Sequence, residues 1–98
     1  MRPYSFHPLA EAELIEASQW YEGRSEGLGD RFLDEVARCI DEVRGDPERF
    51  PVVRKNVRRK SLSRFPYNLL FVIEPTSVRF VAVMHQKRRP IYWLSRLK

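Results

Sequence analysis

Carboxylates are almost missing from the second half of this sequence. Residues 51–98 contain twelve Lys and Arg but one acidic residue, Glu74, and carry a net charge of +11. Residues 1–50 contain six Lys and Arg against twelve Asp and Glu, a net charge of −6. Such asymmetry is typical of a protein with an acidic or polyanionic partner, although a solvated cationic surface gives the same count. The basic half is therefore where we look for a binding surface.

Cysteine and histidine are also scarce, and this scarcity bears on several kinds of chemistry. The single cysteine, Cys39, excludes an internal disulfide, and its apolar neighbours at helical spacing predict a buried core residue rather than a nucleophile. The two histidines have no zinc-ligand spacing, and no histidine–carboxylate pattern suggests a hydrolase triad. The glycine-rich residues 23–30 join two predicted helices, so they do not form a nucleotide-phosphate loop. We expect no metal and no organic cofactor.

Long hydrophobic runs are absent too. The longest nearly apolar run, Tyr67 to Ile73, is too short to span a bilayer, and the N-terminus lacks the apolar core and cleavage site of a signal peptide. We expect a cytoplasmic protein with no membrane partner. With 98 residues, 43% of them hydrophobic and 32% charged, the chain is predicted to fold as one domain, residues 1–98.

The acidic half has the periodicity of two helices. Pro3 to Phe6 reads as an edge strand, and apolar residues at intervals of three and four predict an amphipathic helix from Leu9 to about Arg24. After the glycine-rich break, a second helix is expected from an Asp30 cap to about Arg44. Together they predict an antiparallel helical hairpin, with Trp20 and Tyr21 packing inside it.

The basic half has the pattern of strands, after an irregular segment at residues 47–56. Strands are predicted at Val57 to Leu62, Tyr67 to Ile73 and Val78 to about His85. The second is apolar on both faces, which favours the most buried position in the sheet. The predicted fold class is α+β, with an N-terminal strand and the helical hairpin packed on one face of a three- to four-stranded antiparallel sheet.

Strict alternation along the strands predicts which side chains share a face. In the last strand it assigns to one face Val78, Phe80, Ala82 and Met84, and to the other Arg79, Val81, Val83 and His85. In the strand before the apolar one, Arg58, Arg59 and Lys60 are consecutive, so they cannot all line one site.

Four short motifs, in order, carry a family resemblance. They are WYE at residues 20–22, FP at 50–51, RFPY at 64–67 and AVMHQKRRPIYW at 82–93. With the predicted order of elements, they resemble the RelE/ParE superfamily of type II toxin-antitoxin toxins, and the ParE-like, plasmid-stabilisation branch most closely. The resemblance covers nearly the whole chain. It implies a growth-inhibiting toxin whose cognate antitoxin folds along it and neutralises it. RelE-like members cut mRNA on the ribosome without a metal, whereas ParE-like members poison DNA gyrase.

Two sets of candidate site residues follow. Metal-free RNA cleavage needs a proton acceptor, cations for the phosphate and a proton donor, which would assign catalysis to His85, Arg88 and Tyr92. Binding of the target or the antitoxin is assigned to Arg58, Arg59, Lys60, Arg64, Arg88, Arg89, Trp93 and Arg96. The aromatic pair Tyr92 and Trp93 has an alternative role, docking the C-terminal tail onto the core.

Three functions remain open. The favoured one is a ParE-like inhibitor of DNA gyrase. The second is a ribosome-dependent endoribonuclease with the ribosome and mRNA as partners, and the third is a basic binding domain without toxicity. The sequence leaves the oligomeric state open.

Overall fold

The computed structural model describes residues 1–97, which form two helices and a five-stranded sheet. The strands are β1 (Tyr4–Phe6), β2 (Val52–Arg54), β3 (Val57–Ser61), β4 (Tyr67–Ile73) and β5 (Val78–His85), and the helices are α1 (Pro8–Arg24) and α2 (Leu28–Gly45). Short 3-10 turns lie at Pro47–Arg49 and Leu94–Leu97. The sheet order is β1-β5-β4-β3-β2, with β1 parallel to β5 and the other pairs antiparallel.

The predicted α+β arrangement is confirmed. The helical hairpin packs on one face of the sheet, where Phe32 and Val36 of α2 share a core cluster with Leu69 and Phe71 of β4. Leu69 and Phe71 are 0% exposed, and β4 lies in the middle of the five strands. A strand that is apolar on both faces is stable there because both of its faces are covered.

The sheet has one strand more than the largest number predicted. Val52–Arg54, within the segment predicted to be irregular, forms β2 and pairs with β3. The turn between them places Lys55 in the left-handed region, at φ 53°. Glycine is the usual residue for that conformation, so a turn built on lysine leaves no glycine signal in the sequence.

The second helix begins earlier than predicted, and Asp30 is not its cap. Gly27 precedes the helix at φ 83°, a left-handed conformation that favours glycine, and Asp30 lies within the first turn. The cap comes from α1, because the Glu22 carboxylate accepts the N–H groups of Gly27 and Gly29, each at 2.9 Å. A side chain from the preceding helix thus satisfies N–H groups that the start of a helix leaves without partners.

A β-bulge in β5 changes which side chains share a face, so the predicted alternation holds as far as Val81 and is wrong from Ala82 onward. Leu70 pairs with Ala82 while Phe71 pairs with Phe80, which leaves Val81 as an extra residue. Consequently Val81 and Ala82 both belong to the cluster on the sheet face away from the helices, with Met84. Val78, Phe80 and Val83 belong to the cluster on the helical face.

The second face of the sheet is covered by the C-terminal tail, residues 86–97. Trp93 is 1% exposed and packs in a cluster with Val57, Leu70, Val72 and Met84, with Tyr92, Leu94 and Leu97 around it. The tail therefore completes the core. Its own basic segment, residues 87–89, lies beside the end of β5.

Candidate functional site

A pocket of about 410 Å³ opens between α1 and the ends of β4 and β5. Its apolar wall consists of Ala17, Trp20, Tyr21, Pro66, Tyr67 and Val83. Its polar rim has two carboxylates on α1, Glu13 and Glu16, and two basic side chains opposite them, His85 and Arg88. Concave, mainly apolar sites with a few polar groups are typical of binding sites in proteins.

Trp20 is an exposed side chain of the apolar wall. The sequence predicted that it packs inside the hairpin, and this is wrong, because Trp20 is 56% exposed with the Arg24 guanidinium 4.5 Å from its ring centroid. Tyr21 takes the predicted place and packs against Phe32 and Phe65. Tryptophan is enriched among the residues that anchor protein interfaces. An exposed tryptophan at the mouth of a pocket therefore indicates a surface that binds another protein.

Glu13 connects this pocket to the C-terminal tail. Its carboxylate accepts a hydrogen bond from the Tyr92 hydroxyl at 2.6 Å and two from the Arg96 guanidinium at 2.8 and 3.1 Å. It also accepts the backbone N–H of Val83 at 3.0 Å and forms an ion pair with Arg88 at 3.5 Å. One carboxylate on α1 thus holds a strand and the tail together.

These contacts also satisfy one edge of β5. β1 pairs with residues 78–80 of β5. Further along the same edge, Arg96 donates to the carbonyl of Val81 at 3.1 Å while Glu13 accepts the N–H of Val83. Unpaired strand edges are templates for unwanted pairing. Here side chains take the place of a neighbouring strand.

The hydroxyl of Tyr92 is committed to this network. Burial raises its pKa well above the usual value, and the hydrogen bond to Glu13 raises it further. The Arg88 guanidinium lies 3.9 Å from the centroid of the tyrosine ring. A phenol with a raised pKa that already donates to a carboxylate is poorly suited to give its proton to a leaving group.

The residues of the predicted catalytic set lie close together, and two of them have other contacts. His85 and Arg88 line the pocket, and the Arg88 guanidinium also packs on the Tyr92 ring. The Nδ1 atom of His85 accepts the backbone N–H of Lys87 at 3.1 Å, and the imidazole ring meets the Tyr67 ring edge-on at 5.2 Å. His85 thus carries out a local structural task at the end of β5.

The predicted binding residues do not form one surface. Arg58 and Lys60 lie opposite Phe71 and Leu69, on the helical side of the sheet, whereas Arg59 lies opposite Leu70 on the tail side. The expectation that the three cannot line one site is confirmed. Arg58 donates to the carbonyls of Glu48 and Phe50, and Lys60 pairs with Glu42 at 3.6 Å, so those two cations have structural partners.

The predicted binding residues of the tail divide into two buried and two exposed side chains. Trp93 and Arg96 are 1% and 8% exposed, so neither side chain is available to an approaching partner in this conformation. The alternative role for the aromatic pair, docking the tail on the core, describes their place in the structure. Arg88 and Arg89 are exposed. They are the part of the predicted tail set that remains on the surface.

Arg64 lies elsewhere, beside a second recess against α2. Its backbone N–H and that of Ser63 are held by the buried carboxylate of Glu35, at distances from 2.5 to 3.3 Å. Burial alone would raise the pKa of Glu35, but the hydrogen bonds from Ser63 and Arg64 and the charge of Arg38 outweigh it, and the pKa is lowered. Glu35 is therefore ionised at neutral pH.

Sequence reasoning missed Glu13 and Glu35 as site residues, although a signal for both was present. Glu13 lies three residues after Ala10 and four before Ala17, both buried, and Glu35 has the same spacing from Phe32 and Cys39. A carboxylate on the apolar face of a helix needs a buried partner, because an unpaired buried charge is costly. The spacing indicates that such partners exist, but not which residues they are.

Within residues 1–97, no group of three or more His, Cys, Asp and Glu side chains could hold a metal ion. Neither α1 nor α2 combines the length with the apolar composition that crossing a membrane requires.

Comparison with known proteins agrees with this geometry. The model of the family described as "ParE toxin of type II toxin-antitoxin system, parDE" matches residues 4–90. One similar solved structure is the chromosomal ParDE toxin-antitoxin system from P. aeruginosa, with a TM-score of 0.70 and 14% identity over 87% of this chain and 96% of the other. No curated protein sequence is significantly similar. Because the family model spans most of the sequence, this chain belongs to the ParE toxin family of type II toxin-antitoxin systems.

Proposed function

We propose that this toxin inhibits growth in the cytoplasm by a ParE-like action on DNA gyrase, and that a cognate antitoxin neutralises it by binding in the pocket beside α1. Membership of the ParE toxin family supports the first part. The observation that carries the choice against RNA cleavage is the commitment of Tyr92 to Glu13, which removes the proton donor from the predicted catalytic set.

The pocket suits a helical segment with apolar anchors. Its apolar wall offers Trp20 and Tyr67 to such anchors, and amphipathic helices bind grooves of this kind through residues at spacings of three and four. Arg88 and Arg89 lie exposed at one side, where an excess of Asp or Glu in the segment would be attracted. Apolar contact would supply most of the affinity, and the charges would set orientation and association rate.

The target is tested with purified protein in two assays. We expect inhibition of gyrase supercoiling, intact mRNA on ribosomes, and retention of most of the gyrase inhibition in His85→Gln. Loss of a general acid or base reduces a rate by about a hundredfold to ten-thousandfold, whereas loss of one half-buried side chain from a protein interface costs far less. Codon-positioned cuts in mRNA that vanish in His85→Gln, with gyrase unaffected, would establish the nuclease instead.

The basic tail is better tested by point substitution than by truncation. Removing the chain from residue 88 onward also removes Trp93 and Arg96, which belong to the core. Arg88→Gln and Arg89→Gln remove exposed charge and leave those residues in place. If gyrase binding depends on this basic segment, the double variant should inhibit gyrase less, while loss of the Arg88 contacts with Glu13 and the Tyr92 ring should cost about 2 kcal/mol or less of the free energy of unfolding.

The antitoxin site is tested with the product of the adjacent gene. Trp20→Ala should weaken binding by about 2 kcal/mol or more if Trp20 is an interface anchor. Leu9→Ala is the matched control, because Leu9 is 52% exposed on the same helix but lies outside the pocket. Equal effects of the two substitutions would count against the pocket. Harmless induction of the toxin in a susceptible host, with no co-purifying neighbour product, would favour a binding domain without toxicity.

A further inference from the structure

A second recess, of about 310 Å³, lies between α2 and the loop that joins β3 to β4. Arg31 and Arg38 approach it from α2, seven residues apart and hence on one face of the helix, and Arg64 approaches it from the loop. Leu28 and Phe65 form its apolar part. It shares no lining residue with the pocket beside α1.

The loop that carries Arg64 is held in place by hydrogen bonds to the buried carboxylate of Glu35. The Glu35 carboxylate, 4% exposed, accepts the N–H of Ser63 at 2.5 Å, the hydroxyl of Ser63 at 2.9 Å and the N–H of Arg64 at 3.2 Å. Glu35 lies on the α2 turn between Arg31 and Arg38. One buried carboxylate thus holds the backbone of the third arginine next to the other two, so the cluster is built into the fold.

The three guanidinium groups are free to bind an anion. Among residues 1–97, the ion pairs engage Arg44, Arg49, Lys60, Arg88 and Arg96. None of them involves Arg31, Arg38 or Arg64, and all three side chains are exposed. Of the two acidic groups at the recess, Glu35 is occupied by the loop, and Asp34 is exposed at the edge. Arg38 interacts electrostatically with Glu35 without forming an ion pair, and three guanidinium groups against two carboxylates leave a net positive charge at the recess, which attracts anions.

We propose that this recess binds the phosphate groups of a small phosphorylated ligand, such as pyrophosphate or the polyphosphate chain of a nucleotide. Arginine presents a planar fork of N–H donors that matches phosphate oxygens, and such charge-assisted hydrogen bonds are stronger than neutral ones. The aromatic side chain at the recess, Phe65, is 9% exposed and belongs to the core, so a nucleobase has little surface to stack on. The ligand is held by its phosphates with little preference for the base. This inference does not depend on the proposed action on gyrase.

The proposal is tested by titrating the full-length toxin with pyrophosphate, ATP and GTP at about 0.15 M ionic strength, where the Debye length is about 8 Å, by calorimetry and by NMR of the backbone amides. We expect saturable binding, similar affinities for ATP and GTP, and shifts at the Ser63 and Arg64 amides. Arg38→Gln and Arg64→Gln should each weaken binding by about tenfold. Asp34→Asn should strengthen binding, because it removes an anion from the edge of the recess.

The matched control is Arg59→Gln. It removes the same charge from an exposed side chain on the tail side of the sheet, outside both the recess and the ion pairs of residues 1–97. It should leave affinity within about twofold, since charges separated by more than a Debye length are largely screened. If Arg59→Gln and Arg64→Gln lost affinity equally, net charge alone would explain the binding, and the proposal would be overturned.

The source of the phosphate is resolved by competition. A short DNA duplex that displaces pyrophosphate, with the same dependence on Arg38 and Arg64, would identify a nucleic-acid backbone as a second source of the same chemistry. If the duplex leaves pyrophosphate bound, the recess takes free phosphorylated ligands. No saturable binding of pyrophosphate or ATP to the wild-type protein, with no shift at Ser63 or Arg64, would overturn the proposal outright.

Discussion

Replacing Glu13 with alanine should destabilise this protein more than any other single carboxylate substitution on α1. Glu13 receives two hydrogen bonds from Arg96, a side chain that is 8% exposed, and one from Tyr92. Its removal leaves the guanidinium of Arg96 buried without a counter-charge. Breaking a buried ion pair from one side typically costs about 3–5 kcal/mol.

This cost is large compared with the total free energy of unfolding of a small domain. A domain of this length is stabilised by roughly 5–15 kcal/mol, so Glu13→Ala should remove about a fifth or more of the free energy of unfolding. At about 4–8 °C of melting temperature per kcal/mol for small domains, the drop should be on the order of 20 °C. Urea unfolding followed by fluorescence is a suitable assay, because Trp93 lies in the core that the tail completes.

Two further variants test the reasoning behind that number. Glu16→Ala changes an exposed carboxylate one turn further along α1 and should shift the free energy of unfolding by less than about 0.5 kcal/mol. Replacing the pair together, Glu13→Leu with Arg96→Met, should recover only part of the loss, because it removes the unpaired buried charge but leaves the Val83 N–H and the Tyr92 hydroxyl without their acceptor. If Glu13→Ala differed from Glu16→Ala by less than about 1 kcal/mol, the network at Glu13 would not be holding the tail.

Three other substitutions should have measurable effects on unfolding. Glu35→Gln should cost about 2 kcal/mol at pH 7, and because the folded-state pKa of Glu35 lies below its ordinary value of 4.5, the difference from wild type should shrink as pH falls below that value. An unchanged difference at pH 3 would contradict this. Gly29→Ala should destabilise by about 1–3 kcal/mol, because the new Cβ lies 2.6 Å from the Ser18 carbonyl oxygen, whereas Gly45→Ala meets nothing within 4 Å and should be close to neutral. Trp93→Ala should cost about 3–5 kcal/mol in a urea titration followed by circular dichroism, since the side chain is 1% exposed; a loss below 1 kcal/mol would mean that the tail is not part of the core.

The candidate site was predicted in part from the sequence. The tail motif singled out His85 and Arg88, which line the pocket, and alternation correctly separated Arg59 from Arg58 and Lys60. The sequence left the role of Trp93 open between a binding surface and docking on the core, and it did not indicate that Arg96 is buried, because a cation near a C-terminus is usually exposed.

The sequence by itself determined the hairpin and the central strand. Apolar residues at intervals of three and four specify α2 with its buried face, and the run from Tyr67 to Ile73 specifies a strand covered on both sides. These features follow from local periodicity, which a few neighbouring residues are enough to define.

Only the tertiary structure decided what covers the second face of the sheet, where β5 bulges, and which partners Glu13 and Glu35 take. Glu13 bonds to Arg96, 83 residues further along the chain, and Glu35 to Ser63, 28 residues further. Val81 becomes the extra residue of a bulge through its register with β4. A periodic pattern specifies which face of an element is buried, but the partner that buries it is set by chain folding and packing, which bring residues distant in sequence into contact.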